Sequence, residues 1–153
     1  TENQMTVTEI RTHSATYRVS GSGYSIEGQV INTQDGLNQP VDLSDDVGLE
    51  RCLRAGVLCN DSDLIQRDGR WQVEGDPTEG ALLVVASKAG LNPEELRKER
   101  PRIDVIPFDS NRRWMATVHQ VPHEAQAVVF VKGAVEQVIA CCREAYDSEG
   151  DIV

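Results

Sequence analysis

The chain lacks any apolar run of the roughly 18 to 20 residues that a membrane-spanning helix requires, so a spanning helix is excluded. Its N-terminus, TENQMTVTEI, has no basic start followed by an apolar block, and no signal peptide is expected there. Position 1 is not Met, so the chain is expected to be a fragment of something longer. Basic residues are few: 15 Lys and Arg stand against 25 Asp and Glu, a formal net charge of −10. A nucleic-acid binder needs a basic face, and this balance argues against one. An anionic ligand would instead need a local patch, and the densest basic run in an apolar context is NRRWMATV, residues 111–118.

Cysteine is sparse too. The four, Cys52, Cys59, Cys141 and Cys142, form no CxxC, and adjacent cysteines seldom bridge each other. Reduced thiols in a cytosolic core are the expected reading. There is no GxxxxGK[ST] loop, and the glycines of GSGYSIEG miss the GxGxxG spacing and lie between strands, so a Gly-permitted bend is expected. His119 and His123 are four apart with Pro122 between them and no third ligand, so no metal site is assigned and a solvated surface is expected. No Ser/His/Asp or Cys/His arrangement stands out, and no catalytic residue is assigned.

What is present is a globular balance, 39% hydrophobic and 26% charged, in 153 residues, enough for one domain with its own core. Residues 5–12 alternate as a strand, and two strand-like pieces flank Gly21 and Gly23. Val47, Leu49, Leu53, Val57 and Leu58 recur at helical spacing, with Ser44 or Asp45 as cap. DLIQRDGRWQVEG reads as a hairpin turning on Asp68-Gly69. Helices follow over 77–89 and 92–100, the second capped by Asn92 with Pro93 at its first position. RIDVIPF, WMATVHQV and AVVFVKG form a three-strand meander, and AVEQVIACC a closing helix. Phe130, inside AVVFV, is expected to be buried, and the polar tail REAYDSEGDIV to be frayed or cut short. The predicted class is α/β of the α+β type, a largely antiparallel twisted sheet flanked by helices.

EGDPTEGALLVV opens the 77–89 helix with Asp76 at the cap, Pro77 first and Glu79 third. This is the capping-box pattern with Asp in the Ser/Thr place, and it accounts for Glu79 before any ligand is invoked.

Four stretches, in order, carry a resemblance across nearly the whole chain. TENQMTV resembles the segment after the phosphorylated DKTGT motif of P-type cation-transporting ATPases, and GSGYSIEGQV the Gly-Tyr-x-Pro-x-Gly strand pair of their nucleotide-binding domain. GDPTEGALL resembles that domain's helix signature, and IPFDSNRRWMATV followed by FVKGA its ATP-site signature; LCND, residues 58–61, fits between these. The pattern is most similar to the calcium and sodium/potassium pump branch, and the His-Pro signature of the heavy-metal pumps is absent.

The resemblance implies a single nucleotide-binding domain fragment over 1–153, with 1–7 as linker from the phosphorylation domain and the C-terminal end of the domain missing. It implies a place on the cytoplasmic side of a membrane, without direct membrane contact. Its ligand would be ATP (Mg-ATP in the intact pump), and its partners the phosphorylation and actuator domains. Phe108 matches the aromatic on which adenine stacks, and a rim position after Pro107 suits that role. Glu79 matches the acid near the adenine amino group; a carboxylate accepts from that NH₂ and would not pair with the O6 acceptor of guanine. Lys132, with Gly133 and Ala134, matches the lysine segment lining the adenine pocket, its stem buried and its ammonium at a cleft. Gly133 would allow close backbone approach to the ligand. Arg113 stands where the family usually has a phosphate-contacting Lys, and Arg112 shares that role; Val135 replaces the Pro of KGAPE. The γ-phosphate would be presented to an aspartate outside the chain, so the isolated fragment would bind ATP without turnover. The alternative is a degenerate, nucleotide-free interaction or regulatory module of the same fold, toward which Arg113 is one departure.

Overall fold

The computed structural model describes residues 4–153, so Thr1, Glu2 and Asn3 of the TENQMTV stretch lie outside the described residues. Nine strands and four helices follow one another among them: β1 (Glu9–Arg11), β2 (Thr16–Val19), β3 (Val30–Asn32), β4 (Gln39–Pro40), α1 (Val47–Leu58), β5 (Asp63–Arg67), β6 (Arg70–Glu74), α2 (Pro77–Lys88), α3 (Pro93–Glu99), β7 (Arg102–Asp109), β8 (Trp114–Gln120), β9 (Ala127–Gly133) and α4 (Val135–Cys141). Every pairing is antiparallel, in three sheets ordered β1-β2-β3-β4, β5-β6 and β7-β8-β9. The α+β class stands, with the β structure divided into three sheets.

The hairpin β5–β6 turns as its sequence dictates. Asp68 and Gly69 both take positive φ (50° and 73°), the two-residue turn whose twist suits the flanking strands. Helix α2 is apolar on most sides, burying Leu83, Val84, Val85 and Ala86. Gly80 faces Val73 of the hairpin so closely that an added Cβ would lie 2.5 Å from both Val73 methyls, so this glycine sets how near helix and hairpin approach. The core joins Tyr17 and Val30 of the first sheet to Leu49, Leu53 and Val57 of α1 and Leu83 and Val85 of α2.

Several expectations need correction. The first strand covers only Glu9–Arg11 of the alternating 5–12 stretch. Asp46, and neither Ser44 nor Asp45, caps α1: its Oδ1 accepts from the Leu49 N–H at 2.9 Å, while its Oδ2 accepts from the buried Tyr17 hydroxyl. Ser44 and Asp45 belong to a short 3₁₀ turn that Asp42 caps. The tail is not frayed: Tyr146 bridges Ile152, and the Val47 N–H, an orphan donor of the first turn of α1, donates to the Ser148 carbonyl at 2.8 Å. Arg51 lies 4.1 Å over the Tyr146 ring. Of the cysteines, Cys59 alone is buried, and Cys52, Cys141 and Cys142 are exposed.

His119 corrects the solvated-surface expectation for the two histidines. It is 2% exposed on the core side of β8 together with Met115 and Thr117, whereas His123 lies past the strand end with φ 66°. Strand alternation from buried Met115 puts His119 inward. Phe130 is partly, not fully, buried: it packs on the core edge, its ring centroid 5.4 Å from that of His119 in an edge-on arrangement.

Candidate functional site

Asp76 begins α2 by accepting from the Thr78 and Glu79 N–H groups at 2.8 and 3.1 Å. Glu79 does not return the favour in capping-box fashion. Its Oε1 accepts from Lys132 Nζ at 2.5 Å, and its Oε2 accepts from the Asp61 N–H at 3.1 Å and the Ser62 hydroxyl at 3.3 Å. The expectation that Glu79 closes its own helix end is corrected for a tertiary reason: a cation on β9 and two donors on the α1–β5 loop outcompete one backbone N–H.

That loop is itself held. Asn60, 2% exposed, donates to the Gly56 and Glu79 carbonyls at 3.0 and 2.8 Å and accepts from the Ser62 N–H at 2.9 Å. The end of α1, the loop and the start of α2 are thus stapled through one amide, which fixes the Glu79 carboxylate. Residues Asn60, Asp61 and Ser62 were not assigned a role from sequence. The signal was the polar trio just past Cys59, the residue that ends α1, where an Asn can reach back to the helix carbonyls.

Lys132 reaches Glu79 from β9 with its side chain 24% exposed, against 14% for Glu79. The side chain is therefore largely covered. Cross-strand register pairs Met115 with Lys132, Trp114 with Gly133 and Asp109 with Trp114, which puts Lys132, Gly133 and the residues next to Asp109 at one end of the three-stranded sheet. Phe108, directly before Asp109, is 60% exposed there.

The β7–β8 turn is built on Asp109. Its carboxylate accepts from the Asn111 and Arg112 N–H groups at 2.8 and 3.1 Å, and these bonds, that of Arg112 foremost, hold its carboxyl below the ordinary range. Arg113 closes the turn at φ 59°, and its carbonyl accepts from the Ala134 N–H at 2.9 Å, tying the turn to the start of α4. A Cβ on Gly133 would run into the Arg113 carbonyl and Trp114, so the approach of the neighbouring strand already accounts for a glycine there. Arg113 pairs with Glu136 at 2.8 Å, both about half exposed (50% and 55%). Arg112 donates to the Pro107 carbonyl at 2.9 Å and lies 5.1 Å over the Trp114 ring.

The site therefore has two parts. Glu79 and Lys132 are in contact, with both side chains largely covered. Phe108, Arg112, Arg113, Gly133 and Ala134 gather around the adjoining turn, with both arginines held by protein partners and the aromatic free to meet a flat ligand.

The family "P-type ATPase, cytoplasmic domain N" matches residues 48–153, and the chain belongs to the P-type ATPases as such a domain. It is 43% identical over 150 residues to the "Probable cation-transporting ATPase F" of Mycobacterium tuberculosis, covering 98% of this chain and 16% of that protein. It is 43% identical over 162 residues to "Cation-transporting ATPase pma1" of Synechocystis, covering 100% and 17%. Against the human "Calcium-transporting ATPase type 2C member 1" it is 36% identical over 156 residues, covering 98% and 16%. The chain thus spans about a sixth of the length of these relatives. Among the described residues no helix is long and apolar enough to cross a membrane.

Proposed function

We propose that this chain is a nucleotide-binding domain fragment that holds ATP for a cation-transporting ATPase of the calcium and sodium/potassium pump-like branch. In this reading it presents the γ-phosphate to an aspartate of a phosphorylation domain outside the chain, on the cytoplasmic side of a membrane. The names of the relatives support the coarse part of the reading.

The observation that carries the finer part is the state of Glu79. Its Oε2 takes two donors and its Oε1 takes one, so one lone pair of Oε1 stays open in a carboxylate already fixed from three sides. An adenine amino group can donate to it, whereas the O6 of guanine would meet an acceptor. The base stacks on Phe108, a contact worth about 1–3 kcal/mol by analogy with other base–aromatic stacks. Lys132 holds the Glu79 carboxylate in place from β9. Arg113 is released to the phosphates at small cost, because an exposed pair such as that with Glu136 contributes only about 0–1 kcal/mol. Arg112 adds a second fork at the same turn. In-line phosphoryl transfer would take place on the partner domain, where bound Mg²⁺ would supply charge neutralisation; the residues of this chain bind and orient and perform no bond-breaking step.

The test is a titration of the chain with ATP and with GTP, followed by backbone amide shifts. ATP should move the amides of Phe108, Lys132 and Glu79 in a saturable way and GTP should bind more weakly, and Phe108→Ala should lose most of the ATP affinity. An unaffected Phe108→Ala, or equal binding of the two nucleotides, overturns the reading and favours the nucleotide-free module.

A further inference from the structure

A pocket of about 300 Å³ opens where α3 runs into β7. Arg97, Arg100, Arg102 and His119 line it with Asn60 and Asp61. Three arginines thus meet beside Asp61 and, through Arg97, Asp63, in a chain whose formal net charge is −10. Clustered like charges repel and are held together only against a cost.

Two of the three arginines are fixed by the protein. Arg97 donates to Asp63 at 2.6 Å and to the Ser62 carbonyl at 2.7 Å. Arg102 donates to Asp61 at 2.6 Å and to the Asn60 carbonyl at 2.8 Å. Arg100 is different. Its Nη1 is shielded from solvent and has no hydrogen-bond partner among the described residues, while its backbone carbonyl accepts from His119 Nδ1 at 2.7 Å. A shielded N–H without an acceptor costs about 1–3 kcal/mol, and such a group calls for a water or ion beside it. Asp61 and Asp63 offset two of the three charges, so one positive charge remains for a ligand. A tetrahedral oxyanion suits that residual charge, because Arg97, Arg100 and Arg102 all line the pocket and guanidinium forks match its oxygens.

We propose that this pocket binds a phosphate group, free or as a small monoester, at a site separate from that of the nucleotide. His119 lies four residues along β8 from Met115, the cross-strand neighbour of Lys132, a separation of roughly 13 Å at about 3.3 Å per residue. Asn60 and Asp61 line the pocket and also bond to Glu79, so the α1–β5 loop links the two places. Asp61 offers its backbone N–H to Glu79 and its carboxylate to Arg102, so an anion that draws Arg102 away loosens the loop that fixes Glu79.

The experiment titrates the isotope-labelled chain with inorganic phosphate, and in a second arm with glycerol phosphate, at constant ionic strength set by chloride. Saturable shifts of the Arg100 and Arg102 side-chain N–H signals and of the His119 ring are expected with phosphate and not with chloride alone. Tighter binding of the monoester would make an esterified phosphate the ligand, and equal or weaker binding would make it the free anion. Arg100→Gln should weaken binding by about tenfold or more, the loss of one charge-assisted hydrogen bond. Asp61→Asn removes the competitor for Arg102 and should tighten it. Phosphate should shift the Arg100, Arg102 and His119 signals without shifting those of Arg112 and Arg113, where the nucleotide phosphates would sit, which separates this site from the nucleotide reading. Shifts that chloride reproduces, or an Arg100→Gln variant that folds and binds phosphate like the parent, overturn the proposal; if that variant does not fold, failure of Asp61→Asn to tighten binding overturns it.

Discussion

The Glu79–Lys132 pair has two jobs in this reading, holding β9 to the start of α2 and reading a base, and a double-mutant cycle separates them. The pair is neither surface nor fully buried, at 14% and 24% side-chain exposure. Its coupling should fall between the about 0–1 kcal/mol of exposed pairs and the roughly 3–5 kcal/mol lost when one partner is removed from a fully buried pair. We expect about 1–2 kcal/mol. Glu79→Ala strands the ammonium and also removes the acceptor of the Asp61 N–H and the Ser62 hydroxyl, so its total cost should be larger, about 2–3 kcal/mol. Lys132→Met leaves Glu79 with both loop donors and should cost about 1 kcal/mol. The loop bonds are absent from both arms that carry Glu79→Ala and cancel in the cycle. For a chain of this size each kcal/mol moves the melting temperature by about 2–4 °C, so thermal melts of the four proteins resolve the coupling. Additivity within about 0.5 kcal/mol would refute a structural pair. The second readout is nucleotide preference: the double variant should not regain the preference for ATP over GTP that Glu79→Ala loses. A preference that survives in Glu79→Ala would leave the carboxylate a purely structural group.

Two further outcomes follow from buried titrating groups. Tyr17→Phe strands Asp46 Oδ2 at the first turn of α1, where Asp46 is 7% exposed, and should destabilise by about 1–3 kcal/mol. Burial and the bond to Asp46 push the Tyr17 phenol up to about 12, so its stabilisation is whole below an unfolded value of about 10 and is lost as pH rises through the folded value. A Tyr17→Phe chain that melts with the parent, and loses stability at high pH in parallel with it, would contradict this. His119 moves the other way. Burial, with the nearby Arg102 charge, pushes its ring below the ordinary value despite the Arg100 carbonyl, so the folded chain takes up this proton later than the unfolded one. The neutral ring's stabilisation is present above about pH 6.5 and lost as pH falls through the lower folded value. His119→Gln should flatten the fall in melting temperature between about pH 7 and 5, and an unchanged slope would count against it.

Elements carried by local chemistry were legible in the sequence. The Asp68-Gly69 hairpin, the Pro77 and Pro93 helix starts and the three-strand meander depend on turn conformations, caps and side-chain alternation within a few residues. Errors began where the deciding partner was distant. Asp46 displaced Ser44 and Asp45 as a cap because the Tyr17 hydroxyl holds its second oxygen. The tail packed down because α1 needed an acceptor for its Val47 N–H. His119 went inside because Arg100 and Thr117 offer its two ring nitrogens partners at 2.7 and 2.8 Å, none of which a spacing rule weighs.

The same distinction explains the site. Residue type placed Glu79 at a helix start, and helix physics alone assigned its carboxylate to the Asp76 N–H. The fold reassigns it to Lys132, Asp61 and Ser62, from β9 and the α1–β5 loop, because a charge-assisted bond and two further donors outweigh one backbone donor that water can satisfy at an exposed helix end. Asp76 satisfies the first turn without help, accepting from two N–H groups. The cap is thus complete without Glu79, and the carboxylate is released for tertiary work. A Glu at the third helical position that leaves its own helix end to Asp76, and is gripped by β9 and the α1–β5 loop instead, serves the tertiary fold more than its helix, and the proposed reading adds a base to those partners.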